Sequence, residues 1–199
     1  MTQDPTRRDL LMSAALAAGG LGLAAETLAQ GAQGLPPTPE CKDGDEPTAA
    51  QTEGPFYKPR SPQRADLRES GLGGRPVLLA GLVLTRGCKP VPRALVDLWH
   101  ADDKGEYDNR GFRCRGHVLT DAAGRYQFRT IMPAIYSGRT RHYHVKVAAG
   151  GRPLLTTQLY FPNEPGNARD GLFQRALLMQ VADSGKELSA QFSFVLDMA

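Results

Sequence analysis

The sequence predicts an all-β protein, a β-sandwich of mainly antiparallel strands with long loops and at most short helices. Short runs rich in β-branched and aromatic residues recur along the chain, and turn signals such as Asp121-Ala122-Ala123-Gly124 and Gly150-Gly151 separate them. No segment keeps a helical period over several turns. Many short strands without a sustained helical repeat are typical of a sandwich or barrel.

Seven strands are predicted in chain order, at residues 77–85, 94–101, 118–120, 125–131, 143–148, 154–161 and 191–196. One further segment, 168–181, carries Leu172, Arg175, Ala176 and Met179 at helix-like spacing after Asp170, which is a residue type that caps helices. It predicts a short surface helix.

The first 29 residues predict an export signal. Arg7 and Arg8 precede an apolar run, residues 10–25, that is too short and too rich in glycine for a membrane span. The paired arginines resemble a twin-arginine signal, with an ordinary secretory signal as the alternative. We therefore expect a periplasmic or extracellular protein with no membrane span after cleavage.

Residues 30–50 are rich in Pro, Gly, Thr and acids, and they predict an extended arm before one domain at 51–199. The whole chain carries 24 basic and 21 acidic residues, a net charge of +3 without any Lys/Arg block. This composition gives no support for nucleic-acid binding and weakly favours an anionic small molecule as partner. It leaves open whether the protein is a homo-oligomer.

Three cysteines, Cys41, Cys88 and Cys114, allow one disulfide with a spare thiol, and all three pairings stay open. No CxxC spacing is present, so a thiolate metal site is not expected. Cys114 stands between two arginines, which can activate a thiol, but a buried structural cysteine is the favoured interpretation.

The chemistry is concentrated around two histidines. His142 and His144 are two residues apart in a predicted strand, so their side chains project from the same face about 7 Å apart and can converge on one metal ion. The alternative is a hydrogen-bonded pair of strand histidines. No Cys, Asp or Glu stands close to them, whereas Tyr107 and Tyr136 lie in neighbouring predicted loops. A phenol ionises at neutral pH only if a strong Lewis acid takes its oxygen, and ferric iron is hard enough to do so.

Four stretches in order resemble the intradiol ring-cleavage dioxygenases: "TEGPFY", "PVPRALVDLWHADDKGEYDN", "RGHVLTDAAGRYQFRTIMPAIYSGRTRHYHVKV" and "LLTTQLYF". The resemblance spans residues 52–161. It implies a catalytic β-sandwich that holds Fe(3+) through Tyr107, Tyr136, His142 and His144. It also implies that Arg139 and Gln158 are catalytic and that Tyr136 is the ligand displaced by substrate.

The activity implied by this resemblance is cleavage of a catechol-type diol between its hydroxyls, with both atoms of O2 entering a cis,cis-muconate-type diacid. The particular catechol is not implied. Little ordered sequence is expected before Thr52, so the chain is similar to the shorter, single-domain members of the family. Export suggests a substrate met outside the cytoplasm, such as a plant-derived catechol.

Other polar and aromatic residues are given structural roles. Arg141 is predicted to be a solvated surface residue, His100 and His117 satisfied structural histidines, and Trp99 a core residue. For Tyr57, lining the mouth of a pocket and packing are equally favoured.

Two other classes of protein compete. The stretches "PVPRALVDLW" and "TDAAGRYQF" also resemble transthyretin-like binding modules, which lack the tyrosine and histidine quartet. A cupin-like metalloenzyme shares the HxH pattern but needs a glutamate soon afterwards, where this chain has Lys146 and then "VAAGG".

Overall fold

The computed structural model describes residues 46–198, without the side chains of residues 152 and 153. Its strands are β1 Pro76–Thr85, β2 Leu95–Trp99, β3 Arg115–Leu119, β4 Arg125–Ile131, β5 His142–Ala149, β6 Arg152–Tyr160, β7 Gln180–Asp183, β8 Leu188–Gln191 and β9 Phe194–Leu196. One 3-10 turn, Arg175–Leu177, precedes β7. The predicted export signal and most of the predicted arm lie outside the described residues.

The strands form two sheets. The first has the order β4-β1-β8-β7, and β9 also pairs with β1. In it β1 is antiparallel to β4 but parallel to β8 and β9. The second has the order β3-β2-β5-β6 and is antiparallel throughout. The predicted all-β sandwich of mainly antiparallel strands is confirmed.

The hydrophobic core lies where the inner faces of both sheets contribute apolar side chains. On β5, Tyr143, Val145 and Val147 belong to this core. Because alternate strand residues point to opposite faces, His142 and His144 project from the outer face of the second sheet. The packing that builds the core thus also presents the two imidazoles together.

The predicted helix at 168–181 is wrong. Within this segment Asp170 uses its carboxylate in contacts with other loops, and the chain then makes the 3-10 turn and enters β7. The backbone N–H of Met179 donates to the carbonyl of Tyr160, so the segment is held along the end of β6. Of the four residues at helix-like spacing only Met179 is buried, whereas Leu172, Arg175 and Ala176 are exposed, so the spacing does not mark one buried face.

The last predicted strand, 191–196, is two strands interrupted at residues 192–193. Both strands pair with β1, before and after Gly81. Of the residues described, no helix is long and apolar enough to cross a membrane.

Two of the cysteines can be placed. Cys88 is disulfide-bonded, whereas Cys114 is a buried free cysteine. Burial raises the pKa of the Cys114 thiol to about 12, so the structural interpretation of this cysteine is confirmed. Cys41 lies outside the described residues.

Candidate metal centre

Three donor atoms meet on the outer face of the second sheet. Nε2 of His142 lies 3.2 Å from Nε2 of His144, and the hydroxyl oxygen of Tyr107 lies 3.3 Å from the first and 3.1 Å from the second. The sequence prediction that both imidazoles converge is therefore met by the geometry, and Tyr107 joins them from its loop.

Both histidines are neutral, and His142 keeps its lone pair on Nε2 for a ligand. Nδ1–H of His142 donates to the carbonyl of Thr140 at 2.7 Å, which leaves Nε2 unprotonated. Burial lowers the pKa of His142 to about 4, and burial, followed by the neighbouring His142, lowers the pKa of His144 well below its usual range. The His144 ring stacks on Trp99 at 5.1 Å, and no described residue is a partner for its buried Nδ1.

Tyr107 is held by the loop after β2. The Asp102 carboxylate accepts backbone N–H bonds from Lys104 and Glu106, which shapes the loop just before Tyr107. Phe56 stacks on the Tyr107 ring at 4.5 Å. Burial raises the pKa of Tyr107, so its hydroxyl stays protonated unless a cation takes the oxygen.

Tyr136 reaches the same place from the loop after β4. Its ring stands edge-on to Tyr107 at 5.3 Å and to Phe56 at 5.2 Å. A turn closes behind it, in which the N–H of Arg139 donates to the Tyr136 carbonyl at 2.8 Å. Ser137 and Gly138 in this turn both have positive φ values, a conformation that turns use.

Arg139 and Gln158 form a second polar group beside the imidazoles. Strand register places Gln158 opposite His144. Nη2 of Arg139 donates to Oε1 of Gln158 at 2.7 Å, and Nε2 of Gln158 donates to the carbonyl of Thr52 at 3.1 Å. A permanent cation therefore lies next to the donor triangle.

Residues 51–57, the covering segment, lie over this face. The N–H of Gln51 donates to the carbonyl of Thr156, and Glu53 pairs with Lys146 on β5. A Cβ added at Gly54 would stand 3.3 Å from Cε1 of His144, so only a glycine lets the backbone approach the imidazole this closely. The segment restricts water at the site.

Arg115 is a site residue that the sequence reasoning missed. It is fully buried, and its guanidinium donates to the carbonyl of Phe56 at 2.6 Å and to that of Asp108 at 3.1 Å. It thereby ties the covering segment to the Tyr107 loop. The only sequence signal was its position beside Cys114, which does not reveal these contacts.

The donor set fits a hard transition-metal ion. Bonds of about 2.0–2.1 Å to one ion place neighbouring donors about 3 Å apart, and the three observed separations are close to that value. Among the described residues no group of three His, Cys, Asp or Glu side chains could hold a metal ion. An ion here therefore needs phenol oxygen in addition to imidazole nitrogen.

The structure also shows which contacts His100, Tyr57 and Trp99 make. His100 is a satisfied structural histidine, as predicted, since its ring bonds the Ala101 carbonyl and the Thr130 hydroxyl, both at 2.7 Å. Tyr57 packs on Trp99, which is buried as predicted.

His117 bonds the Ser61 hydroxyl at 3.1 Å, in keeping with its predicted structural role. Arg141 is not simply solvated. It is partly buried and pairs with Glu164 at 2.6 Å, because a loop that the sequence does not place folds against it.

Fold and site together define a class, a β-sandwich protein with a centre built from histidine and tyrosine. A family model described as "Dioxygenase" matches residues 52–197. The chain belongs to the intradiol ring-cleavage dioxygenase family.

Solved structures of dioxygenases are similar to this chain. The dioxygenase domain of a dioxygenase carbohydrate-binding protein fusion from the cellulolytic bacterium Streptomyces sp. SirexAA-E is 52% identical, with a TM-score of 0.75 over 77% of this chain and 100% of that one. The 3-chlorocatechol 1,2-dioxygenase of Rhodococcus opacus 1CP is 26% identical, with a TM-score of 0.71 over 77% and 73% of the two chains.

Among curated relatives, catechol 1,2-dioxygenase of Acinetobacter baylyi is 30% identical over 59% of this chain and 47% of its own length. The protocatechuate 3,4-dioxygenase beta chain of Burkholderia cepacia is 36% identical over 51% of each. The chain thus spans about half the length of these curated relatives.

Proposed function

We propose that this protein is a non-haem iron(III) intradiol dioxygenase. It cleaves a catechol-type diol between its two hydroxyls and places both atoms of O2 in a cis,cis-muconate-type diacid. The observation that carries the proposal is the triangle of Tyr107, His142 and His144, whose donor atoms lie within 3.3 Å of one another. Membership of the family supports the reaction type.

The ligands of Fe(3+) in this proposal are Tyr107, Tyr136, His142 and His144. The neutral imidazoles offer their Nε2 lone pairs, and the two phenols bind after losing their protons. Two phenolates offset part of the ion's charge, which favours the ferric state in a site that is poorly solvated. Bound ferric iron supplies a hard Lewis acid for both catechol oxygens and draws electron density from the ring.

Tyr136 is the ligand that substrate displaces. Among the described residues nothing hydrogen-bonds its hydroxyl, whereas the Tyr107 hydroxyl lies against both imidazoles. Tyr136 can therefore leave the site without breaking a hydrogen bond of its hydroxyl, and its oxygen would then accept a proton from the catechol. Arg139, held by Gln158, stabilises the negative charge that collects on the substrate ring.

The substrate class we propose is a plant-derived catechol met outside the cytoplasm. The support is the twin-arginine-like start of the sequence and the 52% identity to a dioxygenase domain that is fused to a carbohydrate-binding protein in a cellulolytic bacterium. The same reasoning proposes export to the periplasm or beyond.

Iron loading tests the proposal. We expect the iron(III) protein to be red to burgundy through tyrosinate-to-iron charge transfer, and to convert at least one of catechol, protocatechuate, hydroxyquinol or a chlorocatechol, followed by muconate absorbance. Tyr107→Phe should lose its iron, and with it the visible band, and reduce turnover at least a hundredfold. Tyr126→Phe is the matched control, since that hydroxyl bonds the Phe192 carbonyl in the other sheet.

Two results would contradict the proposal. A colourless iron-loaded protein without turnover would leave only a β-sandwich module. Full catechol turnover by a metal-free His144→Ala protein would remove the imidazole pair from the reaction.

A further inference from the structure

We propose that Asp170 is a positioning residue that orients Arg139 toward the substrate, an inference that rests on the proposed function. Asp170 lies in the loop after β6, nine residues after Phe161, which ends the last of the four stretches that resemble the family. Its Oδ2 accepts from Nε of Arg139 at 2.8 Å and from the N–H of Thr140 at 2.9 Å. Its Oδ1 accepts from the N–H of Leu172 at 2.9 Å.

The carboxylate is a rigid anchor. Its side chain is 1% exposed, whereas that of Arg139 is 23% exposed, so the carboxylate is the more deeply buried partner of the pair. Burial alone would raise the pKa of Asp170, but the N–H donors of Leu172 and Thr140 and the Arg139 guanidinium lower it overall. Asp170 is therefore ionised and fully hydrogen-bonded at neutral pH.

Two contacts fix the plane of the guanidinium. Asp170 holds Nε, and Gln158 holds Nη2 at 2.7 Å. A long arginine side chain otherwise samples many rotamers, and ordering it at the moment of reaction costs free energy. Removing the Asp170 contact leaves Arg139 held at one nitrogen only, so its charge no longer sits in one place relative to the substrate.

A matched control lies two residues away. Arg141 pairs with Glu164 at 2.6 Å, with side chains 31% and 10% exposed, and Nε of Arg141 donates to the Pro133 carbonyl. This is an ion pair of the same kind that does not involve Arg139 or Gln158. Glu164→Gln therefore removes a similar carboxylate without touching the proposed machinery.

The test compares Asp170→Asn with Glu164→Gln in the iron-loaded protein. We expect Asp170→Asn to lower kcat at least tenfold, to change KM less than threefold, and to keep the iron content, the visible band and catechol binding in an anaerobic titration. Glu164→Gln should keep kcat within twofold. Asp170→Glu, which retains the charge, should lose less of kcat than Asp170→Asn.

A double-mutant comparison separates positioning from general damage. In an Arg139→Ala background, where the rate is already low, adding Asp170→Asn should lower kcat less than twofold further. An equal loss in both backgrounds, an unchanged kcat in Asp170→Asn, or an equal loss in Asp170→Asn and Asp170→Glu would overturn the inference. Failure of the proposed function would appear instead in the unmodified protein, as an absent visible band and no turnover.

Discussion

At the scale of single residues, burial decides which histidines carry charge. His100 is fully buried between its two hydrogen-bond partners, Ala101 and Thr130, and both ring nitrogens are satisfied in the neutral form. Burial lowers its pKa to about 4 from an ordinary value of 6.5. His100 is not among the proposed iron ligands.

The lowered pKa of His100 makes the free energy of unfolding depend on pH in a definite direction. Between about pH 6.5 and pH 4 the His100 imidazole is protonated in the unfolded chain and neutral in the folded one, so the free energy of unfolding falls as pH falls through this window. Protonation of His100 in the unfolded chain should lower the free energy of unfolding by about 3 kcal/mol at pH 4, compared with neutral pH. Urea unfolding of the metal-free protein should show this extra loss relative to His100→Asn, and parallel curves for the two proteins would contradict it.

At the scale of elements, the covering segment contacts the site through its backbone at Gly54 as well as through the side chain of Phe56. Gly54 adopts φ +72° and approaches the His144 ring. Gly71 has a similar φ of +79°, but a Cβ there would meet nothing within 4 Å. The two glycines separate the effect of backbone strain from the effect of contact with the imidazole.

We expect Gly54→Ala and Gly71→Ala each to lower the free energy of unfolding by about 1–2 kcal/mol, because an L-residue is strained at positive φ. Only Gly54→Ala should also push the His144 ring, shift the visible iron band and weaken iron retention several-fold. Denaturant unfolding and an iron-chelator titration measure the two effects. Identical iron retention in both variants would show that the covering segment does not set the ring position.

At the scale of the whole molecule, β1 is the strand of the first sheet with which three other strands pair. It pairs with β4 on one side and with β8 and then β9 on the other. Residues 192–193 pass beside Gly81, where a Cβ would stand 1.7 Å from the Phe192 carbonyl oxygen. Both the N–H of Phe192 and the hydroxyl of Ser193 bond to β1 at this crossing.

Gly81→Ala should therefore lower the free energy of unfolding by about 3 kcal/mol or more, since the backbone crossing cannot move without breaking the pairing of β8 or β9. Gly87→Ala is the control, because its Cβ would meet only the Thr85 hydroxyl at 3.8 Å. Equilibrium unfolding in urea measures both, and equal stabilities would show that the crossing is adaptable.

Much of the candidate site could be predicted because its signals are local. The alternation of β5 places His142 and His144 on one face whatever the rest of the chain does. The family-like stretches added Tyr107, Tyr136, Arg139 and Gln158, and the structure gathers all of them around the same face. The helix predicted at 168–181 failed because its spacing did not mark a buried face: Leu172, Arg175 and Ala176 are exposed. The segment is held instead by the bond from the Met179 N–H to the Tyr160 carbonyl, a contact that no local pattern shows.

The sequence by itself determined the all-β class, the strand that carries the imidazole pair and the residue types that suit a ferric ion, because side-chain alternation and donor chemistry are properties of short stretches. Only the tertiary structure decided that Arg115 ties two loops together, that Gly54 lies against His144 and that Asp170 holds Arg139. Apart from the Arg115–Asp108 bond, which joins residues 7 positions apart, these contacts join residues 31 to 90 positions apart. Contacts of that kind depend on how the two sheets and their loops pack rather than on any local pattern.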